Sequence, residues 1–250
     1  MTSALVTGRG PWPPVIELRQ YTLRRDRREA LIDLFEKELL DPQEELGMRV
    51  LGQFRDLDRP DRFVWLRGFP DMTARERALT AFYGGPVWAR HRNAANVTML
   101  ESDDVLLLRP VGDGDDVPAR PRPGGPPAGS PDACSVLTAT IHLLRRPVDA
   151  GFLRSYATEI EPMLEQAGSP RVALLATEPA PNTFPRLPVR EGEFAVVRLS
   201  RYRDEPTMTA VHRRIEQVPG RSAAMRRLRT RLVMAPQTLR LQPTPRSSLR

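Results

Sequence analysis

The chain has 250 residues, 40% hydrophobic and 28% charged, enough for one large domain or two modest ones. No run of about 18 apolar residues offers a membrane span, and the single cysteine, Cys134, excludes an internal disulfide and a cysteine-based metal cage. The net charge of +7 rests almost wholly on arginine, Lys37 being the sole lysine. Arginine suits acidic ligands or nucleic acid, although codon bias explains the excess as simply. Seven arginines crowd Arg213–Arg231 against Glu216, but without interleaved aromatic residues to stack on bases, so nucleic acid is not the expected partner. The start, MTSALVTGRGPWPP, lacks the pattern of a signal peptide, and the cytoplasm is the expected compartment.

Residues 14–23, PVIELRQYTL, alternate as a β-strand: Ile16, Leu18 and Gln20 on one face, Glu17, Arg19 and Tyr21 on the other. A helix follows over about 27–40, with Leu31, Leu34, Phe35 and Leu39 on one stripe. MRVLGQFRD (48–56) and RFVWLRGF (62–69) read as strands joined by LDRPD. Asp71 can cap a helix over 72–83; Gly84 and Gly85 stop it, and Pro86 starts another across 87–96. ESDD (101–104) reads as a turn before a closing strand, VLLLRP (105–110). The order is β-α-β-β-α-β.

Residues 111–133 hold proline and glycine at nearly every second position and read as a linker. The order then repeats: strand 135–144, helix about 149–166, strands 171–178 and 193–202, helical segments across 206–228, and a strand within 232–243. The ends, 1–13 and 243–250, read as unstructured. This is a duplicated split β-α-β unit with ferredoxin-like connectivity, in lobes 14–110 and 134–243. Each lobe has a sheet with helices on one face and a bare second face, so the two are expected to pack bare face to bare face as a barrel. Ile16 and Leu18 are then expected under the helices, with Glu17, Arg19 and Tyr21 facing the barrel interior.

The stretches VIELRQYTL, PQEELGMRVLGQFRDLDRPDRFVWLRGFPDM and FYGGPVWARHRNAANVTMLESDDVLLLRP resemble the NIPSNAP family of the dimeric α+β barrel superfamily, with the second lobe a degenerate copy. The resemblance implies the ferredoxin-like fold and barrel pairing. The wider superfamily includes cofactor-free monooxygenases, haem enzymes, isomerases, dehydratases and cyclases, so it leaves the reaction open.

The candidate acid–base set is Glu17, Tyr21 and His91, because a buried carboxylate near an arginine and a histidine has tunable protonation. Arg19, Trp65, Arg67, Tyr83, Trp88 and Asn93 are the candidate substrate-binding residues, Arg19 as an anchor for a carboxylate or oxyanion. A self-neutralising Glu17–Arg19 pair and a packing role for His91 are the alternatives. In the second lobe Thr138, Thr140 and His142 replace Glu17, Arg19 and Tyr21, which points to one working pocket in the first lobe. The loop EPAPNTFPRLPVREGE (178–193) is expected to fold over a barrel mouth or onto a second chain. No GxGxxG, GxxxxGK[ST] or GxSxG motif and no metal-ligand spacing is present.

The expected function is a cofactor-independent acid–base enzyme of isomerase, cyclase, dehydratase or monooxygenase type. Its substrate would be an acidic or aromatic organic molecule, with a place in secondary metabolism. A non-catalytic ligand-binding or adaptor protein is the alternative, and a haem enzyme using His91 a lesser one. No metal and no membrane partner are expected; a homo-oligomer is an open option.

Overall fold

The computed structural model describes residues 10–111, 116–117 and 135–250. Most of the expected linker, and Cys134, lie outside the described residues. The elements run β1 (Gly10–Pro11), β2 (Val15–Leu23), α1 (Arg28–Leu34), α2 (Leu40–Glu45), β3 (Arg49–Asp56), β4 (Arg62–Phe69), α3 (Met72–Gly84), α4 (Pro86–Asn96), β5 (Met99–Pro110) and β6 (Asp116–Val117). After the linker come β7 (Val136–Leu144), α5 (Ala150–Ser155), α6 (Glu161–Gln166), β8 (Arg171–Thr177), β9 (Phe194–Tyr202), α7 (Glu205–Gln217), α8 (Arg221–Arg231) and β10 (Gln237–Pro243). β1 pairs with β6, and the other eight strands close an antiparallel barrel in the order β10-β3-β4-β2-β5-β8-β9-β7.

Within each half the sheet order is second, third, first, fourth strand. The halves are joined at two short seams. At one, Leu108, Arg109 and Pro110 of β5 pair with Thr177, Ala176 and Leu175 of β8. At the other, Leu241, Gln242 and Pro243 of β10 pair with Asp56, Arg55 and Phe54 of β3.

The first helix of each half contains a π-helical turn, Phe35–Leu39 and Tyr156–Ile160, shortly before Pro42 and Pro162. A proline inside a helix lacks the N–H and crowds the carbonyl four residues back; a widened turn relieves both. The first helical stretch therefore passes Pro42 and ends at Glu45 rather than near Leu40.

Aliphatic side chains from both halves fill the barrel, among them Ile16, Leu18, Val64, Leu66, Leu106 and Leu108 against Leu137, Ile141, Leu175, Val197, Leu199 and Leu241. The parity expected for β2 is thereby reversed. Ile16 and Leu18 face the barrel interior, whereas Tyr21, Phe63 and Trp65 pack against the helices with Leu31, Phe35, Leu79 and Phe82. Glu17 and Arg19 share the Tyr21 face. The cause is partner supply: around Ile16 and Leu18 the barrel centre offers hydrocarbon, but the helices bring Gln43 and Arg75 to the charged side.

Two further expectations are corrected. ESDD is no turn but the first part of β5, where Glu101 pairs with Thr22 and Asp104 with Gln20 across a bulge. The described ends are packed: Trp12 and Leu249 join the barrel core, and Leu249 N–H donates to the Leu51 carbonyl at 3.0 Å. Arg246 donates to Asp41 at 2.6 Å, tying the tail to α2.

Candidate functional site

The space between sheet and helices, not the centre of the barrel, holds the Glu17 cluster, and each half has its own version.

In the first half Glu17 is fully buried and holds three equally buried arginines. Its Oε2 accepts from Arg19 Nη1 at 2.7 Å and Arg67 Nε at 2.8 Å; its Oε1 accepts from Arg75 Nε at 2.7 Å. Three guanidinium cations against one carboxylate leave a surplus of two positive charges. Arg67 Nη1 also donates to Gln43 Oε1 at 3.1 Å, and Arg75 Nη1 to Asn182 Oδ1 at 2.9 Å. The Nη2 atoms of Arg67 and Arg75 and Nε1 of Trp65 have no hydrogen-bond partner. Trp65 lies between two of the cations, with Arg19 at 5.6 Å and Arg67 at 5.0 Å from its ring centre.

Burial alone would raise the pKa of Glu17, but Arg67, Arg19 and Arg75 outweigh it and hold the carboxyl far below its ordinary value. With both oxygens occupied, Glu17 is a counter-ion rather than a general base at neutral pH. Burial pushes the Tyr21 phenol up, against the opposing pull of Arg19. Its oxygen accepts from Arg19 Nε at 3.0 Å, and among the described residues no acceptor takes its own proton.

Tyr21 lines a cavity of about 40 Å³, together with Phe35, Gln43, Trp65, Phe82, Tyr83 and Trp88. The space holds roughly one or two water molecules. Tyr83 and Trp88 sit edge to face at 5.0 Å, either side of the α3–α4 junction. Phe184, from the 178–193 loop, stacks on Tyr83 at 6.0 Å. The loop thus lies over the first half's sheet–helix space rather than a barrel mouth, and Thr183 Oγ1 anchors it by donating to the Met72 carbonyl at 3.2 Å.

Glu17, Tyr21, Arg19, Trp65, Arg67, Tyr83 and Trp88 are therefore brought together; His91 and Asn93 are not. His91 points its Nε2 at Glu38, 3.5 Å away, and does not line this cavity; Asn93 is exposed. A haem ligated by His91 would have to compete with Glu38. Sequence reasoning missed Arg75 and Gln43, which lie 58 and 24 residues from the groups they bind.

It also missed the second half, read as having lost its ionisable set. There Arg198 takes the position of Trp65: it pairs with Thr140, the counterpart of Arg19, in the β7–β9 ladder. Arg198 donates from Nε to Glu161 at 3.1 Å, from Nη1 to Ser169 at 3.0 Å and to Ser200, and from Nη2 to the Ser169 carbonyl at 3.0 Å. Beside it lies a cavity of about 160 Å³ whose lining includes His142, Tyr156, Tyr202, His212 and Arg221. Part of the Arg213–Arg231 cluster is engaged at the helices, Arg227 with Glu159 at 2.6 Å and Arg231 with Asp149 at 2.9 Å. Among the described residues no group of His, Cys, Asp and Glu could hold a metal ion, and no helix is long and apolar enough to cross a membrane.

Comparison with known proteins gives no match among curated sequences. Solved structures share the whole architecture. An anthrone oxidase-like protein is 14% identical with a TM-score of 0.54, covering 92% of this chain and 91% of its own. A provisionally named monooxygenase of Fusobacterium nucleatum is 8% identical with a TM-score of 0.52, covering 93% of each chain. A NIPSNAP-like domain protein of Burkholderia xenovorans is 24% identical over 42% of this chain and 90% of its own, with a TM-score of 0.38. At these identities the full-length likeness is one of fold. The NIPSNAP family model matches residues 16–113, so the first lobe of this α+β barrel chain is similar to that family.

Proposed function

We propose that the protein is a cofactor-independent acid–base enzyme acting on a small aromatic molecule, and that the first half's chamber is where it acts. The observation that carries this reading is the Tyr21 hydroxyl. It accepts from Arg19, keeps its own proton unshared, and borders an aromatic-walled cavity. A phenol so placed donates a hydrogen bond or a proton to a carbonyl or acidic oxygen of a ligand. The cation behind it stabilises the charge that develops. The surplus of positive charge around Glu17 favours a ligand that is acidic or becomes so.

A cavity of about 40 Å³ admits no aromatic ring, so binding requires Tyr83, Trp88 and Phe184 to swing outward. The monooxygenase and oxidase names of two fold neighbours support a small organic substrate, without fixing the reaction. We read the two halves as tandem ferredoxin-like copies, a reading that their identical sheet orders support.

The test is a panel of aromatic ketones and aromatic carboxylates, followed by tryptophan fluorescence for binding and mass spectrometry for conversion. Tyr21→Phe should lower turnover of any converted compound about 10²-fold or more, at a stability cost of about 1–3 kcal/mol because the buried Arg19 Nε loses its acceptor. Unchanged turnover in this variant removes Tyr21 from the reaction. The second reading, a non-catalytic binding protein, is favoured by the filled barrel interior. Binding without conversion across the panel, weakened in Tyr21→Phe, would select it.

A further inference from the structure

The second half's chamber differs from the first in size and in charge. About 160 Å³ is close to the roughly 150 Å³ at which an engineered protein cavity takes up a benzene ring. A groove of about 270 Å³ lies next to it, with Tyr156 and Ile160 in both linings.

Three polar atoms of its lining are buried without a hydrogen-bond partner: His142 Nδ1, the Tyr156 hydroxyl and Arg221 Nε. His142 and Tyr156 are 5% and 2% exposed, and their rings meet edge-on at 5.8 Å. Unsatisfied buried polar atoms cost on the order of 1–3 kcal/mol each, and a ligand that satisfies them recovers that cost.

The chemistry of the three atoms selects the ligand. Burial pushes His142 down to about 4, against a hydrogen bond to the Val196 backbone, so the ring is neutral at physiological pH and Nδ1 is the atom left to a ligand. Burial pushes the Tyr156 phenol up, so it stays protonated. Arg198 has no nitrogen left over, since Glu161, Ser169 and Ser200 occupy all three. The inner wall is thus uncharged overall and suits a hydroxyl, which can both donate and accept. Arg221 Nε can only donate and calls for an acceptor oxygen at the other end.

We propose that this chamber is a separate binding site for a single-ring organic molecule with oxygen at both ends, its hydroxyl at His142 and Tyr156 and its acceptor oxygen at Arg221. The site is independent of any activity at Tyr21.

The experiment uses the full chain labelled with [13C]histidine, in which three histidines give three resonances. It is titrated with para-hydroxybenzaldehyde as probe and toluene as control. A saturable shift of the His142 resonance is expected with the aldehyde. Tyr156→Phe and Arg221→Gln should each weaken it by about tenfold, and Tyr21→Phe should leave it unchanged. Tyr156→Phe keeps the ring that packs the core; should it fail to fold, the wild-type shift of His142 and the Arg221→Gln response decide. The proposal is overturned by absence of saturable binding at millimolar probe, which would leave water as the occupant. It is also overturned by toluene binding equally well, or by affinities that both variants leave intact.

Discussion

Both oxygens of Glu17 are occupied by guanidinium nitrogens, and that occupancy sets what its removal would do. Glu17→Gln keeps the shape and deletes the only negative charge among three buried cations. Breaking a buried pair from one side costs about 3–5 kcal/mol, so urea denaturation should show a loss of at least about 3 kcal/mol. Were Glu17 merely lining the barrel interior, as the sequence suggests, the same change would leave the fold largely intact. A loss below about 1 kcal/mol would show that the cluster is not held by its counter-ion. His142 sets a different window. Its folded pKa of about 4 lies below the ordinary 6.5, so the unfolded chain binds the extra proton between these values. Stability is therefore fully present above about 6.5 and falls with pH to about 4, by about 3 kcal/mol from this residue. His212, also lowered by burial, adds in the same direction. Glu17 stays ionised in the folded protein throughout that window, but the unfolded chain takes up its proton near 4.5, so it steepens the loss at the acid end with or without His142. Melting His142→Gln beside the wild type from pH 7 to pH 4 checks this, and parallel curves would assign the slope elsewhere.

The elements show why the architecture was legible and the chamber only partly. Alternation, caps and breakers are local signals, and strands such as Arg62–Phe69 and helices such as Met72–Gly84 lie within a residue of where those signals put them. Which side of β2 faces inward is not local, because alternation separates two faces without saying what covers each, and here both are covered. A usable signal was the uniformity of one face. Ile16, Leu18, Val64, Leu66, Leu106 and Leu108 are all aliphatic, as a closely interdigitated barrel centre requires, whereas the other face mixes aromatic rings with charge. The partners of that charge were hidden by distance along the chain. Asn182, which receives Arg75, lies 107 residues away on a proline-rich loop whose length marked it, but whose target nothing marked. In the second half Glu161 binds Arg198 from 37 residues away, and comparing lobes strand by strand looked for Glu17 where only Thr138 stands. The charge had moved from the strand to the helix.

At the scale of the whole molecule, the halves share one apolar core and two hydrogen-bonded seams. Placing a protease site between residues 117 and 135 and cleaving it should leave both halves in one peak on a sizing column without denaturant. Two separate peaks would mean that covalent linkage, not the shared core, holds the barrel closed. The linkage has a consequence of another kind. When two identical subunits make such a barrel, every substitution is written twice, once into each chamber, and a change that helps one burdens the other. A barrel made from the two halves of a single chain is free of that twofold constraint. Glu17 could gather three arginines while Thr138 stayed neutral, and His142 could be buried uncharged where Tyr21 meets a cation. The price of lost symmetry is small, because each chamber is built mainly from its own sheet and helices, with only the 178–193 loop reaching from the second half onto the first. The gain is a single molecule that can carry two unlike pockets at fixed one-to-one ratio.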